Sequence, residues 1–282
     1  KKPFVMIRKI IYSTGILSSI IFLLSFTKKI NPAFSAKGIE QNMAKIQDDL
    51  FVCKYEVSNS EYQFFLNELK VDDAKKAEQF KVDSLKWLNS TQYQQPMSAY
   101  YHLHPAFKNY PVVCISYEAA TAYCNWLTEY YNNDAKRKFK KVKFYLPSEE
   151  EWMKVANNGD RNKIYPWSDF YLRNKNGEFF CNFKHVSDAF ISYDNEREEY
   201  KIIPEARASN SYTSPVKSFQ AIEPYGIYNM SGNVAEMVSE KGIAKGGSYN
   251  STGYDVRISS QMKYSESSPE VGFRVFMKVL EP

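Results

Sequence analysis

The stretch 225-YGIYNMSGNVAEM-237 decides how the rest of this 282-residue chain is read. It is followed by 244-AKGGSYNSTG-253 and 271-VGFRV-275. Glycine permits the left-handed backbone of tight turns, so Gly232 and Gly246-Gly247 mark two of them. With the run ending Gly-Phe-Arg, they flank a position where an enzyme could carry its nucleophile. Here that position reads Asn250-Ser251-Thr252.

Upstream, 50-LFVCKYEVS-58 alternates apolar and polar residues and predicts a strand. Ser58 or Asn59 can cap a helix whose apolar residues Tyr62, Phe65, Leu66 and Leu69 fall at i, i+3, i+4 and i+7. Residues 70–100 are charged and glutamine-rich. They read as a surface insertion, helical over 72-DDAKKAEQFKVDSLKWL-88. The segment 101-YHLHPAFKNYPVVCIS-116 leads into another strand, and Ser116 caps the helix 117-YEAATAYCNWLTEYY-131. There Ala119, Ala122, Tyr123, Trp126, Leu127 and Tyr130 form one apolar stripe, which is core rather than site. In 146-LPSEEEWMKVANNG-159, Ser148 and Glu151 make a capping box, and Glu149 and Glu150 suit the positive helix N-terminus. Capping thus accounts for a carboxylate cluster that could be mistaken for acid/base machinery. Over residues 165–235 periodicity fades into short pieces between turns; a loop region this long needs something besides sheet hydrogen bonds to order it, and a bound cation is one candidate.

Composition bounds the class. Apolar residues make up 44% of the chain, and 22 Tyr and 19 Phe predict a packed protein rather than a disordered one. The net charge of +5 is concentrated at one end. Residues 1–40 carry +6, from seven Lys/Arg against Glu40 alone, which leaves −1 on residues 41–282. That near-neutral part has no long basic run, which argues against nucleic-acid binding.

Residues 10-IIYSTGILSSIIFLLSFT-27 are uncharged and flanked by Lys/Arg on both sides. As a helix they would extend about 27 Å, enough to cross a bilayer core. A signal peptide is the competing reading, but the small-residue stretch Phe34-Ser35-Ala36 lies far from the apolar run and makes a poor cleavage context. The expectation is an anchor over residues 1–29, a polar linker over 30–47 and one domain over 48–282. The flanking charges favour a cytoplasmic N-terminus and an exported, periplasmic domain. The cysteines, Cys53, Cys114, Cys124 and Cys181, show no C-x-x-C spacing and are expected to be buried free thiols.

The ordered set 55-YEVSNSEYQFFL-66, 111-PVVCISYEAATAYCNWL-127, 146-LPSEEEWMKVA-156, 165-YPW-167, 225-YGIYNMSGNVAEM-237, 246-GGSY-249 and 272-GFR-274 resembles the formylglycine-generating enzyme family, also called the sulfatase-modifying-factor domain. The resemblance covers about residues 48–280. It implies an α+β fold, a variant of the C-type lectin fold with little regular secondary structure, a twisted antiparallel core and long loops. It also implies a structural calcium ion held by the Asn229 side chain, the Gly232 and Val234 carbonyls and the Glu236 carboxylate. Calcium takes six to eight hard oxygens, and such a turn supplies several.

Catalytic members of the family use two cysteines after the Gly-Gly-Ser turn, which bind copper and oxidise a substrate cysteine. In this chain those positions fall at Ser251 and near Val256, and no cysteine occurs after Cys181. Cys124 matches a family position whose disulfide partner in some members aligns with Val275. Arg257 and Arg274 are expected in structural ion pairs. His102 and His104 could share one face of a strand, but His104 before Pro105 is expected to serve a turn.

The resulting expectation is no catalytic residue and a binding or assembly role in a bacterial envelope complex, anchored through the N-terminal helix. The stretch 103-LHPAFKNYPVV-113 is similar to non-catalytic members among gliding-motility and type IX secretion lipoproteins. The alternatives are an oxidoreductase with relocated chemistry and a lectin-like envelope receptor.

Overall fold

A computed structural model describes residues 34–89, 95–185, 191–202 and 212–282. The expected membrane span lies outside the described residues. Among the described residues, no helix is long and apolar enough to cross a membrane.

Six helices and ten short strands are present among the described residues. The helices are α1 (Ala36–Gln41), α2 (Asn59–Asp72), α3 (Ala74–Gln79), α4 (Gln95–Tyr100), α5 (Tyr117–Asn132) and α6 (Glu149–Ala156). An antiparallel sheet runs in the order β1 (Met43–Lys45), β2 (Leu50–Cys53), β10 (Phe276–Glu281) and β3 (Lys141–Tyr145). The hairpin β4 (Ile191–Asp194)/β5 (Glu199–Ile202) forms its own pair. A second sheet runs β8 (Gln261–Lys263), β7 (Ile243–Lys245), β6 (Ala235–Met237) and β9 (Val271–Gly272), with β6 and β9 parallel.

Helix starts follow their caps. Ser58 and Glu61 form a capping box on α2, Ser148 and Glu151 another on α6, and the Ser116 hydroxyl accepts the Ala119 N–H on α5. Each such cap is worth about 1 kcal/mol. The stripe on α5 faces an aromatic core of Tyr62, Phe65, Phe144 and Phe273. Tyr123 packs edge-on to Phe65 and Phe273, with centroids 5.4 Å apart in both pairs.

Three expectations are corrected. The presumed linker over 30–47 is part of the fold: α1 and β1 lie within it, and Phe34, Ile39 and Met43 are buried in the main core. Phe34 stacks on Phe64 with centroids 4.2 Å apart, and the Ala36 N–H donates to Asp134 Oδ2. Apolar residues spaced this sparsely look like linker until their partner surface is known.

The helix expected over 72–88 breaks at Asp73, whose carboxylate accepts the Lys76 N–H and starts α3 afresh. Farther on, Trp87 is fully buried against Tyr101, with centroids 4.8 Å apart, so the segment is not merely a surface insertion. The strand expected over 111–116 is a buried loop. Its backbone bonds go to three different segments: Val112 to Val57, Cys114 N–H to Ser268, and Asp83 N–H to the Cys114 carbonyl. Cys114 has φ 59°, which interrupts the extended run.

Candidate functional site

The turn over 229–233 folds as it does because three of its residues adopt positive φ: Asn229 at 54°, Gly232 at 73° and Asn233 at 64°. Asparagine tolerates this region better than other side-chain-bearing residues. Gly232 has no substitute, since a Cβ there would stand 2.3 Å from the Asn182 carbonyl oxygen.

The turn closes a buried polar cluster. Asn233 Nδ2 donates to Glu56 Oε1 at 2.8 Å, and Asn229 Nδ2 donates to Glu56 Oε2 at 3.1 Å. Asn233 Oδ1 accepts the Ser214 N–H at 2.7 Å, and the Asn233 N–H donates to the Asn182 carbonyl at 2.8 Å. Glu56 is fully buried. Burial raises its carboxyl to about 7, the Glu236 charge adds to the rise, and Arg274 and the Asn233 amide oppose it.

Beside this lies an ion pair. Arg274 Nη2 donates to Glu236 Oε1 at 2.6 Å, and Arg274 Nε reaches both Glu236 oxygens at 3.0 and 3.1 Å. Trp152 Nε1 adds a bond to Glu236 Oε2 at 2.8 Å. The remaining guanidinium donors satisfy the Cys53 and Tyr228 carbonyls. The expected ion pair of Arg274 is therefore present. Arg257 instead lies over the Tyr254 ring at 4.2 Å and makes no ion pair among the described residues.

The residues expected to hold calcium, Asn229, Gly232, Val234 and Glu236, do not fit that ion together. Each Glu236 oxygen already accepts two N–H donors, so its lone pairs are spent. Its charge is matched by a guanidinium that would repel a cation. Asn229 Oδ1 does fit a ligand's role, being a buried acceptor without a partner, as is Asn182 Oδ1. Among the described residues, no three His, Cys, Asp or Glu converge on one point. Glu236 here serves as the ion-pair partner of Arg274, a role the Gly-Phe-Arg motif could have signalled.

The positions aligned with catalytic cysteines are built into structure. The Ser251 Oγ accepts the Ser248 N–H at 2.9 Å, and Ser248 Oγ donates to Glu270 Oε2 at 2.6 Å. Asn250 Nδ2 donates to the other Glu270 oxygen at 3.0 Å. Val256 is fully buried in a small apolar cluster with Tyr165, Cys181 and Phe183. All four thiols are buried and free, as expected. Burial pushes Cys53 up to about 12 and raises the other three as well.

His102 and His104 share no strand. His102 is buried and held down to about 4 by that burial. It accepts the Trp87 indole N–H at 3.4 Å and faces Asn59 Oδ1 at 3.2 Å. His104 serves a turn as expected, its Nδ1 accepting the Ala106 N–H. The sequence reading missed Glu56 and Asn233. It also missed Lys245, which is fully buried and donates to Glu149 at 3.0 Å, so Glu149 does more than sit at a helix N-terminus. For Glu56, the available signal was a lone carboxylate between Tyr55 and Val57 at the end of an apolar strand.

The match to known proteins runs through these same elements. The family described as "Sulfatase-modifying factor enzyme 1-like domain" matches residues 31–279. The chain is 24% identical over 200 residues to "Inactive C-alpha-formylglycine-generating enzyme 2" of Bos taurus, covering 70% of this chain and 53% of that protein. It is 26% identical over 213 residues to "Formylglycine-generating enzyme" of Mus musculus, covering 68% and 49%. The chain thus spans about half the length of these curated relatives. Among solved structures, "Treponema denticola variable protein 1" superposes with a TM-score of 0.51 at 16% identity, over 81% of this chain and 84% of that one. CarF superposes with a TM-score of 0.52 at 17% identity, over 84% and 93%. These two likenesses bear on the fold alone. The family match begins at residue 31, so it takes in most of the supposed linker, and it ends inside β10. With the Gly232 turn and the Glu236–Arg274 pair lying inside that span, the chain belongs to the sulfatase-modifying factor enzyme 1-like domain family.

Proposed function

We propose that this chain is a non-catalytic binding and assembly module of a bacterial cell-envelope complex. One observation carries the first half of that reading: Ser251 and Val256, at and near the positions where the resemblance puts the cysteine pair, are both committed to structure. Copper-dependent oxidation of a thiol needs a soft thiolate ligand and redox group. A hydroxyl locked to a backbone N–H and a buried isopropyl group supply neither. Relatives named as inactive and relatives named as formylglycine-generating enzymes match over similar shares of the chain. Overall similarity therefore does not choose between them, and the non-catalytic reading rests on the residues at these two positions.

The envelope assignment rests on the apolar run 10–27 with its basic flanks and on the near-neutral charge of the rest. The chain would be anchored by that run with its domain in the periplasm, in a machine of the gliding-motility or type IX secretion kind. Exposed Phe170, Tyr171 and Tyr254 are the residue types that anchor protein contacts. The catalytic half is tested by incubating the purified full-length protein with copper, oxygen and a cysteine-bearing peptide, and following peptide mass. The expected result is unchanged peptide; conversion of the cysteine to an aldehyde would refute the reading.

A further inference from the structure

Residues 163–180 build an aromatic wall whose use is not explained by the fold alone. Tyr165 and Trp167 stack with centroids 5.0 Å apart and planes 7° from parallel, and Trp167 and Phe180 stack at 5.0 Å and 21°. Trp167 is the shared middle ring of this ladder, and Phe180 is its end, with no other ring contact among the described residues. The wall is held in place. Trp167 Nε1 donates to the Tyr171 carbonyl at 2.8 Å, and the Phe180 N–H donates to the Leu172 carbonyl at 3.0 Å. The facing segment, 220–223, is fixed by Ile222, whose N–H donates to the Ile227 carbonyl at 2.7 Å and whose side chain is buried in a core cluster.

Between wall and segment lies a cavity of about 150 Å³. At roughly 30 Å³ per water, that is room for about five waters. Four polar side chains line it: Lys163, Ser168, Gln220 and Glu223. Ser168, Gln220 and Glu223 are exposed and Lys163 is half-buried, and among the described residues none of the four makes a side-chain hydrogen bond or ion pair, so each is free to meet a ligand. Lys163 and Glu223, of opposite charge, line one small cavity without pairing.

This combination selects a ligand chemistry. A cation would be drawn to Glu223 and the ring faces but repelled by Lys163; an anion meets the reverse conflict. A wholly apolar ligand would strip water from four polar groups and give nothing back. A pyranose satisfies all of them. Its C–H face packs on an aromatic ring, whose face carries partial negative charge. Its hydroxyls both donate and accept, so they match an ammonium, a carboxylate, an amide and a hydroxyl at once. The cavity admits one sugar ring.

We propose that the cavity between the Trp167 and Phe180 rings and residues 220–223 binds a single hexopyranose unit of a glycan. The site requires no metal and lies apart from the turn at Ser251, so it stands or falls independently of the assembly role. Purified full-length protein titrated with methyl glycosides of glucose, galactose, mannose and N-acetylglucosamine tests it, using saturation-transfer NMR with choline as a cationic control. The expected result is that one glycoside binds with a dissociation constant of about 1 mM, ordinary for so small a contact. Glu223→Gln and Phe180→Leu should each weaken binding about tenfold while the unfolding midpoint of the Glu223→Gln variant stays unchanged. No glycoside binding up to about 100 mM, a hundredfold above that constant, would overturn the proposal. So would binding that Glu223→Gln leaves untouched, or choline bound in preference to every sugar.

Discussion

Replacing Arg274 by Met tests whether the Glu236–Arg274 pair organises the site. Met fills much of the space but removes every donor. Glu236, fully buried, would keep only the Trp152 indole N–H, and the Cys53 and Tyr228 carbonyls would lose partners. Stranding one member of a buried ion pair costs about 3–5 kcal/mol. In a domain of this size 1 kcal/mol corresponds to about 2–4 °C, so the unfolding midpoint should fall by about 6–20 °C. Glu236→Gln combined with Arg274→Met removes the stranded charge and should recover part of that loss. Thermal denaturation of the four-membered cycle, repeated with calcium and with EDTA, measures the coupling. The expected result is a coupling of a few kcal/mol that neither addition alters. A loss under about 1 kcal/mol in the single variant, strictly additive effects, or a midpoint that rises with calcium only when Glu236 is intact would refute the reasoning.

Glu56 should give the protein a pH dependence. Its folded value of about 7 lies above the ordinary 4.5, so its stabilising contribution is complete below pH 4.5 and is lost as pH rises through 7. Glu56→Gln should therefore gain on the wild type by on the order of 2–3 kcal/mol between pH 5 and pH 8; urea unfolding at the two values reads it, and an equal difference at both would contradict it. Gly232→Ala should cost at least about 2–3 kcal/mol, since its Cβ meets the Asn182 carbonyl at 2.3 Å and its φ is 73°. A thermal scan showing a near-neutral effect would mean the turn is looser than described. The four buried thiols should resist an aromatic disulfide reagent in the folded protein and react together on unfolding; rapid labelling of one of them in the native state would expose an active cysteine.

What could be read from sequence was what local chemistry determines. Ser58, Ser116 and Ser148 start helices wherever they lie in the fold, because a cap bonds only its own first turn. The α5 stripe was legible for the same reason, since helical period alone sets which residues share a face. Long-range partners were not legible. Phe34 is core only because Phe64 and Trp126 meet it, and Trp87 only because Tyr101 does. Residues 111–116 have strand-like composition, but their backbone partners lie on three separate segments, so no ladder forms. At the site, the turn and the Arg274 ion pair were foreseeable from motif spacing. Glu56 reaches Asn229 and Asn233 across more than 170 residues of sequence, and no local pattern announces that.

The most direct test of the proposed role is a mild-detergent pull-down of the full-length protein from its native membranes, with mass spectrometry of what travels with it and metal analysis of the product. An assembly module should come out with a fixed, stoichiometric set of envelope proteins and no copper. A solitary protein carrying bound copper would contradict the account and point to an active site elsewhere than Ser251.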